Sequence, residues 1–153
     1  MRYEKINEYF EKGVDGLSEL LEDTKDMRDT IEDYRSKFKG NILTTADEYD
    51  EAMIVLTGIF MYVVEIFESA QAFKEAEEDT AYLKLRNEAI EKGEKAPTDN
   101  TLKVMAHKQV APYIKLRNTF ESYMLGCEKG ISTCQSKLKK FERVWGGKQT
   151  DDK

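Results

Sequence analysis

Histidine is almost missing from this chain: His107 is the only one in 153 residues. That removes di-iron carboxylate bundles, which take a Glu-x-x-His motif from each of two helices. It also removes two-histidine zinc motifs. Cysteine is nearly as scarce. Cys127 and Cys134 stand seven residues apart on what reads as a helix. Two helical turns separate them by about 10 Å, too far for a disulfide to each other, so two buried free thiols are expected. No glycine-rich phosphate loop occurs, and no Ser or Cys stands in a nucleophile setting. Glu75, Glu77, Glu78 and Asp79 form an acidic cluster, but consecutive helical residues point apart and rarely share one ion. The expectation is a non-enzymatic protein with no cofactor and no metal.

Proline is scarce too, with only two residues, while 35% of the chain is charged. That combination favours long helices over sandwiches or barrels. The length suits one domain with a real core. Residues 1–12 are charged throughout, which argues against a signal peptide. The uncharged run 53–64 is shorter than the roughly 20 residues that span a bilayer. A cytoplasmic protein with no membrane contact is therefore expected.

The stretch that organises the rest is 45–93, which reads as a single helix. Thr45-Ala46-Asp47-Glu48 has the form of a capping box, and Gly93 is a plausible stop. Its first half is apolar, with Met53, Leu56, Phe60, Val63, Phe67 and Ala70 on one stripe and Ile54, Ile59, Tyr62, Val64 and Ile66 off it. A helix apolar nearly all round is buried on more than one side, and a second subunit is one way to cover the other side. The second half, 74–91, is mostly charged.

Before it, Tyr3, Ile6, Phe10, Gly13, Leu17, Leu20, Thr24, Met27, Ile31, Tyr34 and Phe38 alternate steps of three and four. That is the seam of a coiled coil. Gly13 and Gly16 weaken it, so a short helix 2–12 followed by one over 15–39 is equally allowed. Acidic residues from Glu19 to Asp33 line the outside. Gly40-Asn41 signals a turn. Beyond the central helix, Lys92 to Asn100 reads as a loop or hinge, with Thr98 or Asn100 available to cap the next helix. From 101 onward, Gln109, Tyr113, Leu116, Phe120, Tyr123 and Cys127 form a seam. A one-residue stutter leads on to Ile131, Cys134, Leu138, Phe141 and Trp145. Pro112 should kink this segment or mark a joint.

The expected fold is all-α: long antiparallel helices, about 3–39, 45–92 and 101–145, forming an elongated bundle or coiled coil that self-associates. They make one helical domain over 1–148, with a disordered tail at 149–153. Residues 1–100 hold 13 Lys/Arg against 25 Asp/Glu, a balance of −12, while 101–153 hold 11 against 5, a balance of +6. Such a split marks either an interaction surface or an acidic helix packed beside a basic one.

The strongest local candidate for function runs from Tyr82 to Lys95. Lys84 and Arg86 sit about 200° apart around a helix, Lys92 and Lys95 continue the basic trail, and Lys103, His107 and Lys108 lie just beyond. Basic side chains of this kind bind phosphates in a salt-sensitive way, and Tyr82 could stack on a base. The plainer alternative pairs Lys84 and Arg86 with Glu78, Glu88 or Asp79 on the helix surface.

Leu83-Lys84-Leu85-Arg86 near the end of a long helix resembles the Leu-Lys-x-Arg segment of the UvsY-like recombination mediator proteins of T-even-like phages. The chain beyond it is similar in plan: a Gly-containing polar loop, a cap at Thr98-Asp99-Asn100-Thr101, then an amphipathic helix with Tyr113, Phe120, Tyr123 and Cys127 and a Lys-rich end. The likeness covers about 80–145. It implies a phage protein of the host-cell cytoplasm, a homo-oligomer that binds single-stranded DNA, remodels single-strand-binding protein and helps load a RecA-like recombinase. Lys84 and Arg86 would contact DNA, and the C-terminal helix, with Leu116, Phe120 and Tyr123, would supply an oligomer interface. Leu56, Phe60, Val63 and Phe67 of the apolar centre are further interface candidates. A coiled-coil scaffold, assembly chaperone or inhibitor, docking a basic partner on its acidic N-terminal helix, is the competing expectation. A membrane-active helix resting on 53–67 is the third.

Overall fold

Local signals set where each helix begins and ends. In the computed structural model, the backbone is described for residues 3–93, 95 and 97–148, and the side chains for these except 3, 4 and 145–148. The helices are α1 (Tyr3–Glu11), α2 (Val14–Asp23), α3 (Lys25–Lys39), α4 (Ala46–Glu91), α5 (Asp99–Gln109) and α6 (Ala111–Lys148). No strand occurs among the described residues. The protein is all-α.

The N-terminal apolar stripe is buried, and three helices share it. Gly13 takes φ +68° and ends α1. Thr24 separates α2 from α3. Ile6, Phe10, Leu17, Leu20, Thr24 and Ile31 are all buried, with Met27, Tyr34 and Phe38 half-buried. Both breaks leave the seam in phase, so the same face stays covered. Its first position, Tyr3, and the last position of the C-terminal seam, Trp145, lie outside the described side chains.

The capping box of α4 forms in full. The Glu48 carboxylate accepts from the N–H groups of Thr44 (2.7 Å) and Thr45 (2.9 Å), and Thr45 Oγ1 accepts from the Glu48 N–H (3.2 Å). These bonds hold the Glu48 carboxyl below its usual range. At the other end, Gly93 takes φ +61° after α4 stops at Glu91. Thr98 caps α5 by accepting from the Thr101 N–H. Pro112 does mark a joint, since α5 ends at Gln109 and α6 begins at Ala111.

That joint corrects one seam position. Gln109 is exposed and Val110 is buried in its place, because the break resets the helical phase. A second correction falls at the end of α6, which continues through Lys148, three residues past the expected stop. The expected disordered tail, 149–153, lies outside the described residues.

The chain divides into two units. One is Met1–Leu21 with Glu65–Phe120; the other is Glu22–Val64 with Glu121–Lys153. In the second, Tyr49, Ala52 and Cys134 form a core against which Tyr34, Phe38, Leu43, Met53, Leu138 and Phe141 pack. Gly130 lets α6 approach closely there: a Cβ at that position would lie 2.7 Å from Leu56 Cδ1 and 3.1 Å from the Phe38 ring. Arg35 of α3 donates to the Ser122 carbonyl at 3.0 Å. In the first unit, Phe10 stacks on Phe73 at 4.8 Å between centroids. The Arg117 guanidinium lies over the Phe67 ring and donates to Gln71 at 2.9 Å. In both units the N-terminal heptads meet partners within the same chain.

Both cysteines are buried. Burial pushes the Cys127 thiol up to about 11, which leaves it protonated and unreactive at neutral pH.

Candidate nucleic-acid interface

Within the first unit, the charged stretch of α4 runs antiparallel to α5, and three polar contacts join it to α5 or to the start of α6. Gln71 meets Arg117, Glu78 meets His107, and Tyr82 meets Asp99. The sequence numbers descend on one side as they rise on the other. Ala81 of α4 and Leu102 and Ala106 of α5 are buried along this line.

The acids of this region are already engaged. Glu78 binds His107 Nδ1 at 2.9 Å and Lys74 Nζ at 3.1 Å. Burial alone would raise its carboxyl, but these two partners outweigh burial and hold it below its usual value. Asp99 binds Lys103 at 2.8 Å and accepts from the Tyr82 hydroxyl at 2.5 Å, and both bonds lower its pKa. The same bond to Asp99 raises the Tyr82 hydroxyl. Tyr82 is thereby tied down, and the residue is half-buried.

Lys84, Arg86, Lys92, Lys95, Lys103 and Lys108 are all exposed. Of these six, Lys103 alone has an ion-pair partner among the described residues. Lys84 and Arg86 therefore do not take the pairings with Glu78, Glu88 or Asp79 that the sequence left open. Arg86 lies close enough to Asp99 and Tyr82 to favour their ionised forms, so it shares their side of α4. Lys84 points elsewhere, as its angular offset requires. Exposed Glu88 and Glu91 remain beside this trail.

A shallow open depression lies at the α5–α6 joint, lined by His107, Lys108, Ala111, Ile114, Lys115, Asn118 and Thr119. Sequence reading found Lys108 but missed Lys115 and Asn118. The signal that would have found them is that residues 100–120 contain no Asp or Glu at all. Among the described residues no cluster of His, Cys, Asp or Glu is arranged to hold a metal ion.

The candidate interface residues fall into two groups. Leu56, Val63, Leu116 and Phe120 are buried inside the chain, whereas Phe60, Phe67 and Tyr123 are half-buried. The apolar residues of α4 that reach solvent include Ile54 and Met61, each 65% exposed, and Tyr62, 40% exposed. By length and composition α4 could cross a bilayer, and 28% of its most apolar window is buried within the chain.

Comparison with protein families, curated proteins and solved structures gives no match.

Proposed function

We propose that this protein binds single-stranded DNA without catalysis, as a cytoplasmic homo-oligomer of antiparallel helical bundles. In that role it acts as a recombination mediator on single-strand-binding protein and a RecA-like recombinase. The observation that carries the nucleic-acid part is the free state of Lys84, Arg86, Lys92 and Lys95. They are exposed and without ion pairs among the described residues, while Glu78 and Asp99 beside them are held by other partners. Unpaired exposed cations are what a phosphate backbone can use. The mediator role and its two protein partners rest on the resemblance over 80–145 alone.

Anisotropy of a labelled single strand of about 30 nucleotides, titrated at several salt concentrations, tests this reading. Each phosphate contact steepens the dependence of log affinity on log salt by about 0.7 for single strands, so Lys84→Ala/Arg86→Ala should flatten it by about 1.4. Absence of binding at low salt removes the reading.

The docking alternative is favoured by the exposed acids of α3. Three of these are already held on their own helix, in the pairs Lys25–Asp29, Arg35–Glu32 and Lys37–Asp33. That internal neutralisation weakens a basic partner's hold and leaves the nucleic-acid reading ahead.

A further inference from the structure

From residue 40 to 73 the chain has no Lys or Arg, and its charges there are all acidic: Asp47, Glu48, Asp50, Glu51, Glu65 and Glu68. Within that run Ile54, Gly58, Met61 and Tyr62 form an exposed strip on α4. A Cβ at Gly58 would meet nothing within 4 Å, so the chain itself covers none of it there. The run 100–120 is the converse, with Lys103, Lys108, Lys115 and Arg117 and no acid. Apolar Ala111 and Ile114 line its depression together with Lys108 and Lys115. Exposed Val104 lies one helical turn before Lys108 and adds to the apolar surface.

We propose that the α4 strip of one copy docks in the α5–α6 depression of a second copy, head to tail. Apolar meets apolar at the centre, and acids flank one surface as lysines flank the other. Pairing α4 with a second α4 would set acid against acid and is disfavoured. A lipid surface fits poorly as well, because helices that lie on membranes carry Lys or Arg beside the apolar face. A contact between two different faces leaves one of each unfilled, so copies add in series until a ring closes or a filament grows. This rests on the oligomeric part of the proposed function and is independent of the nucleic-acid part, although both use Lys108.

The test is sedimentation velocity of the full chain. The wild type should form a concentration-dependent series that shrinks when salt is raised. Ile54→Asp/Met61→Asp keeps the depression and loses the strip; Lys108→Glu/Lys115→Glu does the reverse. All four positions lie at the surface, and circular dichroism confirms that each variant stays helical. Each alone should be monomeric, and an equimolar mixture should form a dimer of twice the monomer mass and stop there. A wild type that is monomeric at all concentrations overturns the proposal. So does a mixture that stays monomeric, a variant that still assembles alone, or a monomer that floats with phosphatidylcholine vesicles through α4. The anisotropy titration reports separately on DNA, so a dimer in the mixture without DNA binding would remove only the nucleic-acid reading.

Discussion

Residues 46–64 of α4 hold their neighbours through Tyr49, Ala52 and Leu56, whereas residues 65–91 add to the Phe10–Phe73 stack a row of polar contacts from Gln71, Glu78 and Tyr82. One continuous helix thus meets its surroundings by two kinds of contact. The first stretch has no basic residue and packs closely enough that Gly130 is needed opposite Leu56. The second also buries Ile66, Ala70 and Ala81, and it adds hydrogen bonds and ion pairs along its exposed edge. Close apolar packing is sensitive to volume and indifferent to salt, while half-exposed polar contacts are small in energy and respond to salt and pH. The difference shows where function has room. The free cations, Lys84 and Arg86, lie on the polar stretch, and the uncovered strip lies on the outer side of the packed one.

The largest expected effect comes from the packed stretch. Leu56→Ala should cost about 2–5 kcal/mol, read as a shift in urea midpoint, because it removes a fully buried side chain and leaves a cavity. A loss well below that would mean that the two stretches do not differ in the way described. Next, Gly130→Val should cost about 1–3 kcal/mol by overpacking against Leu56 and Phe38. Combining Gly130→Ala with Leu56→Ala should cost less than the sum of the two, since the new methyl enters the space that Leu56 vacates. Gly58→Ala should go the other way and stabilise by about 0.5–1 kcal/mol, because its helical position is open and nothing opposes a Cβ.

The smallest effect belongs to the polar stretch. The folded state holds the Glu78 carboxyl below its ordinary value of 4.5. Its contribution is therefore complete above the usual carboxylate range and is lost as pH falls through the lowered folded value. Glu78→Gln should lower the melting temperature slightly at pH 7, and the difference from wild type should shrink steadily as the pH is taken down through the carboxylate range. A difference that stays constant across that range would assign Glu78 a packing role and blur the contrast between the stretches.

Much of the fold was legible because it is written in short-range signals. Thr45 and Glu48 cap α4 as their spacing requires, Gly93 stands just past its end, Thr98 caps α5, and Pro112 marks the α5–α6 joint. The burial of Ile6, Phe10, Leu17, Leu20, Thr24 and Ile31 accords with steps of three and four. Gln109 failed because a seam carried across a helix break loses its phase. The candidate site was legible as a trail of Lys and Arg but not as a set of partners. Nothing in the sequence near Glu78 says that His107, 29 residues away, will take it.

By itself, then, the sequence determined an all-helical chain, its caps and breaks, and the buried stripe of each helix. All of these depend on residues within two turns of each other, where backbone geometry decides who meets whom. Tertiary structure alone decided that Glu78 also takes His107, that Tyr82 donates to Asp99, and that Arg35 reaches a carbonyl 87 residues on. It also decided that Ile54, Met61 and Tyr62 stay open on a helix apolar nearly all round. Those outcomes depend on which helices pack together, and charge and hydrophobicity read along one chain are silent on that until the partner surfaces are in place.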